Sequence, residues 1–552
     1  MSSSPKTWRL FDIFFLFIFL TILFFIMLGT RPLSIPDEAN YAEIAREMFV
    51  SKDYFTPYLN GIKFFEKPVL LYWLGVGFAK IFGCNLWSLR SVNAMLALMG
   101  CIFTYFTAKK LYDHKTGIIS ACILATSMLY FILAHMYTMD LSISVLIAFT
   151  LFSFILGATD THTRFFYFTM ASIAMGFAIL MKGLMGIVLP LMIIGVWITL
   201  FQEWRLIRFK EIGVYFAIVM LIAVPWHWIV TLQNPEFLHF YFVEHHLSRF
   251  SSGDIGHLQP FWYYIPIIIM GLFPWIIFLP KALLHSFPRS FHHLKAKKIK
   301  IFFSLYAILI FLFFSISKAK LIPYVLPIFP PLAILIGNYV KNAVNLKKEY
   351  IVLCIFSFIL AGACFLFTKY WQVADRDLTN FYLYIIASVI IVGSLLGYFF
   401  SKKKPDYAIY STIAMGAMLG LLLIKALPAM DRLTILPLTQ ILKPILQEED
   451  EVIAFNHHYQ DLSFYLDRRV DILNSRKLFA FGMQHQKNHD WMIDDRQLNA
   501  LWQSHQRVFA IMDIEDYHAM PERYQHLHFY PWGQTSKNIL VSNRLLEEQK
   551  SH

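Results

Sequence analysis

Apolar residues in this chain gather into runs long enough to cross a bilayer, separated mostly by short polar loops. The runs lie near 11–29, 87–108, 117–134, 139–158, 165–181, 183–201, 211–230, 261–284, 301–316, 321–340, 350–368, 380–400 and 407–427. A helix needs about 20 apolar residues to span the hydrocarbon core. Helices also satisfy their own backbone hydrogen bonds in lipid. The pattern therefore predicts a mainly α fold, a polytopic membrane bundle of about thirteen helices. The first run follows Lys6 and Arg9 and has no small-residue cleavage site after it, which predicts a retained helix and not a cleaved signal.

Two loops are long, 30–86 and 231–260. The first is too polar to span. It holds two amphipathic stretches, one from Ala39 to Phe49 and one running from Pro68 through Leu70, Leu71, Tyr72, Trp73 and Leu74. Such segments are expected to lie along the membrane surface. Past the last run the chain changes character. Val452–Phe455, Val508–Ile511 and Asn538–Val541 read as buried strands, so a C-terminal soluble α/β domain is predicted. The expected division is a membrane domain over 1–430 and a soluble domain over 431–552.

Composition sharpens this picture. Of 552 residues, 57% are hydrophobic and 15% charged, where a soluble chain carries about a quarter charged. A net charge of +12 would suit a nucleic-acid partner, but its placement argues against one. Lys109, Lys110 and Lys115, then Arg205, Arg208 and Lys210, then Arg289, Lys295, Lys297 and Lys298 occupy alternate short loops. Lys341, Lys347 and Lys348, then Lys402, Lys403 and Lys404 continue the series. These ends are expected on the cytoplasmic side. The amino end is then cytoplasmic, while the two long loops and the C-terminal domain face outward. The five cysteines, Cys84, Cys101, Cys122, Cys354 and Cys364, all lie in or beside apolar runs, so no disulfide is expected. There is no glycine-rich phosphate loop and no convincing Ser/His/Asp signature.

The outward side collects the ionisable residues that could do chemistry. Asp37 opens the first amphipathic stretch. It reads either as a helix cap or as a carboxylate of a membrane-level active site. Asp140 opens the run at 139–158 and carries the same two readings, but it sits at a depth where carboxylates usually face a cavity. Glu66 and Lys67 precede Pro68, which fits the first turn of the second amphipathic helix. Lys67 suits either lipid phosphates or a substrate. Lys182, at a tight turn beside Gly183, is joined on the outer side by Arg249, Lys318 and Lys320. Cations there oppose the usual bias, and a phosphate-bearing ligand would explain them. Glu244, His245, His246 and His257 lie in the second long loop. His245 and His246 could hold a divalent metal such as zinc with Glu66, or simply be hydrogen-bonded.

Several of these segments resemble the bacterial aminoarabinose transferases that modify lipid A. The resemblance runs from Pro36 to Met48 and from Phe65 to Leu74. It continues through Thr138–Asp140, Met181–Gly183, Val243–His245 and Ser317–Tyr324. The motifs also resemble the wider superfamily of polyprenyl-phosphate-dependent glycosyltransferases with the GT-C fold, which includes protein O-mannosyltransferases. The tail matches only loosely. Asn40 departs from the pattern, because many relatives have a basic residue there, and this leaves the acceptor preference open.

The resemblance implies a GT-C fold in a bacterial inner membrane and an inverting transfer. The implied donor is undecaprenyl phosphate carrying 4-amino-4-deoxy-L-arabinose, and the implied acceptor is a phosphate of lipid A. No cofactor is required on this view. The residues expected to act are Asp37, Asp140, Glu66 and Lys67. Lys67, Lys182, Arg249, Lys318, Lys320 and Tyr324 are expected to hold phosphate, and Glu38, Tyr41 and Tyr72 to position donor or acceptor. The rivals are another GT-C transferase, a lipid or glycolipid transporter marked by broken helices, and a membrane scaffold.

Overall fold

The computed structural model describes residues 6–241, 258–288 and 294–545. Among them, nine helices are long and apolar enough to cross a membrane, or eleven counting two bent pairs. The runs near 11–29 and 183–201 form two shorter apolar helices, Leu10–Phe25 and Met185–Phe201. Every predicted run is therefore helical. Met139–Thr159 is the most enclosed span, with 83% of its apolar window buried, whereas Phe209–Gln233 (17%) and Lys347–Tyr370 (22%) line the periphery. Asp140 thus enters the centre of the bundle.

The bent pairs are His114–Ala125 with Met128–Ala134, at 68°, and Tyr264–Gly271 with Trp275–Ser286, at 108°. Their breaks meet, since Trp275 Nε1 donates to Thr126 Oγ1 at 2.9 Å. Thr126, Ser127 and Trp275 are all fully buried. Backbone freed at a break is thus sealed inside protein, the arrangement a bilayer tolerates.

The first long loop carries Asp37–Ser51 and Leu70–Phe82, the two helices expected from the amphipathic stretches. Pro68 lies ahead of the second helix, whose cap position is Val69, so Pro68 is not in its first turn. Between the helices a two-stranded hairpin pairs β1 (Tyr58–Leu59) with β2 (Ile62–Lys63).

The tail forms one six-stranded sheet. It contains β3 (Glu451–Ala454), β4 (Asp471–Leu473), β5 (Met492–Ile493), β6 (Val508–Asp513), β7 (Tyr530–Gln534) and β8 (Asn538–Ser542), ordered β5-β4-β3-β6-β8-β7. Strands β5, β4, β3 and β6 are parallel, β8 runs antiparallel to them, and the edge strand β7 pairs antiparallel with β8 and so runs in the direction of the other four. The three predicted strands are β3, β6 and β8, the continuously apolar ones at its centre.

This sheet domain is fastened to the hairpin. Asn60 is fully buried at the hairpin tip. Its Nδ2 donates to Val470 O at 2.8 Å, and its Oδ1 accepts from Val470 N and Ser463 Oγ, both at 3.0 Å. Trp491 Nε1 donates to Asn60 O at 2.9 Å. Gly61 follows with φ +74°, and a Cβ there would lie 2.9 Å from the Trp491 ring, so both conformation and space require glycine. All five cysteines are free.

Candidate active site

The site grows from helix Asp37–Ser51. Pro36 holds its cap position without a side-chain hydrogen bond, so Asp37 is the first helical residue and caps nothing. Asp140 likewise is not a cap, because Thr138 holds that position in its helix. The capping explanation for both carboxylates therefore falls away.

Glu38, one residue on, points the opposite way and is fully buried. Arg90 grips both of its oxygens, Nε to Oε1 at 2.8 Å and Nη2 to Oε2 at 3.1 Å. Arg31 lies 3.0 Å from Oε2. Backbone N–H groups of Ser34 and Tyr137 each donate to it at 2.8 Å. Burial pushes this carboxyl up, but Arg31 and Arg90 outweigh it and hold Glu38 at about 2. Its oxygens are occupied inside the protein, so Glu38 positions the loop and does not itself face a ligand.

Asp140, only 8% exposed, forms an ion pair with Lys182, which is 9% exposed. Gly183, at φ +73°, ends the Lys182 helix and turns the chain directly into the next one. This turn keeps Lys182 facing the start of helix Met139–Thr159. The Lys182 ammonium also sits over the Tyr324 ring, 4.7 Å from its centroid, a favourable cation–π placement. Asp140, Lys182 and Tyr324 form the polar end of a narrow crevice. Its remaining walls include Ile143, Ile147, Leu189 and Phe314.

Asp37 joins this group. Its surface is accessible, yet it stands among enough protein to lose hydration. Burial raises its pKa, and the carboxylates of Asp140 and Glu66 add to the rise, while Lys67 and Lys182 pull it back. Tyr41 and Tyr72 lie alongside, 6.2 Å apart by ring centroid. Burial and then Asp37 hold the Tyr41 phenol well above its ordinary range. The Tyr72 hydroxyl is buried with no hydrogen-bond partner among the described residues. The structure thus brings together Asp37, Glu66, Lys67, Asp140, Lys182, Tyr41, Tyr72 and Tyr324 from segments far apart in the chain.

Other expected residues sit elsewhere. The Lys320 ammonium donates to Gln259 O at 2.8 Å and Ser317 O at 2.5 Å, which ties down its own loop. Lys318 lines a separate, mainly apolar groove with Lys320, Phe261 and Ile316. Arg249, His245 and His246 lie outside the described residues, as do Glu244 and His257. Among the described residues no group of three or more metal-ligating side chains forms.

Arg31 and Arg90 were missed in the sequence. Arg90 carried a signal, a cation four residues into a membrane helix with no acidic neighbour in that helix's first turn. Such a group needs a partner from another segment.

Known proteins resemble this chain in sequence and in fold. Residues 66–229 match the family described as dolichyl-phosphate-mannose-protein mannosyltransferase. Residues 438–543 match the aminoarabinose transferase C-terminal domain. An undecaprenyl phosphate-alpha-4-amino-4-deoxy-L-arabinose arabinosyl transferase of Enterobacter sp. is 30% identical over 397 residues, covering 70% of each chain. A Proteus mirabilis relative named as arabinosyl transferase 2 of the same kind is 34% identical over 334 residues, 59% of this chain and 58% of its own length. In fold, the chain is similar to ArnT from Cupriavidus metallidurans bound to undecaprenyl phosphate. The TM-score is 0.87 with 23% identity, covering 98% of this chain and 99% of that one. The chain belongs to the undecaprenyl phosphate-aminoarabinose arabinosyl transferase family, a multi-pass membrane family of GT-C type with a C-terminal α/β domain.

Proposed function

We propose that this protein transfers 4-amino-4-deoxy-L-arabinose from undecaprenyl phosphate to phosphate groups of lipid A at the outer face of a bacterial inner membrane. The amino end is then cytoplasmic and the C-terminal domain periplasmic. The observation that carries the proposal is the meeting of Asp37, Lys67, Asp140 and Lys182 in one electrostatic cluster in a chain of this family.

Both lipids present phosphates at the membrane surface and keep their tails in the bilayer. The acceptor phosphate oxygen attacks the anomeric carbon of the sugar. The bond from that carbon to the donor phosphate oxygen breaks, its electron pair stays on the leaving phosphate, and the anomeric centre inverts. Negative charge grows on the leaving phosphate, so Lys67 and Lys182 stabilise the transition state. Asp140 holds Lys182 in place. The acceptor phosphate is already ionised, so no strong base is needed. Asp37 orients the acceptor or offsets positive charge developing on the sugar ring. Each added amine offsets phosphate charge on the outer membrane, which weakens attraction of polymyxin and other cationic peptides.

Mass spectrometry of lipid A tests the proposal, in a donor-producing strain that lacks its own transferase. Expression of this chain is expected to add one or two aminoarabinose units, and Asp37→Asn to add none. Unmodified lipid A despite good membrane expression would discard the substrate assignment.

A further inference from the structure

A groove of about 540 Å³ opens at the end of the bundle away from Asp37, within the roughly 300–1,000 Å³ of ligand sites. Helix Lys6–Phe25 runs from this groove toward the loop that carries Asp37. Three helices build the groove. Asp12, Phe15, Leu16 and Phe19 of the first helix recur at spacings of three and four, so they share one face. Asp406, Ile409, Tyr410 and Ile413 repeat that spacing in helix Pro405–Met430. Helix His114–Ala125 completes the lining with Lys115, Ile119 and Cys122. Each helix brings its charged residue to the same end and follows it with two apolar turns, about 10 Å of rise.

The mouth is held by two pairs that cross between helices. His114 Nε2 lies 3.1 Å from Asp12 Oδ2, and the Tyr105 hydroxyl lies 2.9 Å from His114 Nδ1. The Lys115 ammonium donates to both oxygens of Asp406 at 2.7 Å. An ammonium has three N–H groups, so Lys115 keeps one for a further acceptor. Asp12, Lys115 and Asp406 are each about half exposed, which leaves their charged ends room for another partner. The neighbouring Asp113 is turned to Lys341 at 2.9 Å. Two carboxylates thus flank one lysine and one histidine at the level where the apolar lining begins.

We propose that this groove binds a glycerophospholipid with a primary-amine headgroup, of the phosphatidylethanolamine type, in the leaflet opposite the active site. One acyl chain lies along the apolar turns. Lys115 meets the headgroup phosphate, and Asp12 or Asp406 accepts from its ammonium. Charge selects among headgroups. An anionic lipid brings net negative charge to a mouth that already holds two carboxylates. A choline headgroup has no N–H to donate, so it lacks the charge-assisted hydrogen bond. A phosphate beside a primary amine matches both signs at once. The bound lipid braces the first helix against the bundle, and that helix leads into Arg31 and Asp37. The proposal is independent of the sugar and the acceptor assigned above.

The test is native mass spectrometry of the full chain released from nanodiscs. These hold equal parts of dioleoyl phosphatidylethanolamine, phosphatidylcholine and phosphatidylglycerol. The parent protein is expected to retain one phosphatidylethanolamine about fivefold over either of the others, the factor one net hydrogen bond gives. The joint change Asp12→Asn and Asp406→Asn should remove that preference. Both side chains are half exposed, so the fold should survive it, and the melting temperature checks this. Ile413→Trp fills the apolar part and leaves the charges in place, and it should lower phosphatidylethanolamine to the level of the other two. Equal retention of the three lipids by the parent protein would overturn the site, as would a preference for phosphatidylglycerol or a dimer that retains no lipid. An unchanged preference in the folded double aspartate variant would overturn it as well.

Discussion

Replacing Asn60 by alanine removes three buried hydrogen bonds that join the hairpin tip to the C-terminal domain. Val470 loses partners for both its N–H and its C=O, and Ser463 loses its acceptor. A net hydrogen bond contributes roughly 1 kcal/mol, and stranding a buried polar group costs about 1–3 kcal/mol. Asn60 also has φ +49°, a left-handed conformation that asparagine tolerates and alanine adopts at a cost of about 1 kcal/mol. Together these terms weaken the docking by roughly 4 kcal/mol, or about a thousandfold in the local opening equilibrium. Hydrogen exchange of the full chain in nanodiscs reads this directly. Protection of the Val470 amide and of the hairpin should fall steeply, while the centre of β6 and β8 keeps its protection. The hairpin ends at Lys63, three residues before Glu66, so kcat should also fall, by about tenfold. A loss of protection under tenfold in a folded protein would refute the claim that Asn60 fastens the two domains.

Lys182→Met should abolish transfer and destabilise the bundle by about 3–5 kcal/mol, because it leaves Asp140 buried without its cation; adding Asp140→Leu should restore thermal stability but not activity, and recovery of activity would refute a catalytic role for the pair. The rate should fall on acidification at a pH above the ordinary carboxylate range. Burial and Asp140 raise the Asp37 pKa, and its ionised form, which is the active one, is lost as pH drops through that value; a profile flat down to about pH 4 would remove Asp37 from the rate-determining chemistry.

The membrane part was legible because lipid imposes a length and a polarity on every span. The two breaks were not, since neither Thr126–Ser127 nor Gly271–Pro274 interrupts hydropathy. A break sealed by Trp275 on Thr126 is written in contacts between segments 149 residues apart. Asp37, Lys67, Asp140 and Lys182 could be nominated because topology put them on one side, where charge has to be explained. That Asp140 would be paired with Lys182 could not be read, because spacing along the chain carries no information about which helix ends touch. The docking of the tail was equally invisible. Asn60 meets Val470 across 410 residues, and an asparagine before a glycine reads locally as nothing more than a turn.

Glu38 shows how the fold converts buried charge into geometry for the reaction. It is the immediate neighbour of Asp37 and turns inward where Asp37 turns to the site. Fixing Glu38 from four directions therefore fixes the start of that helix and the direction of the Asp37 side chain. The same carboxylate accepts from Tyr137 N, three residues before Asp140, and Arg31 donates to His135 O at 2.8 Å in that same turn. One buried ion cluster thus holds Asp37 and Asp140 in register across separate segments. A hydrophobic replacement of equal volume could match its stability, but it could not bond the Tyr137 N–H and the Arg90 fork together. The cluster is expected to matter more for the rate than for the fold: an apolar triple replacement of Arg31, Glu38 and Arg90 that stays folded should lose kcat, because nothing then sets the distance between Asp37 and Asp140.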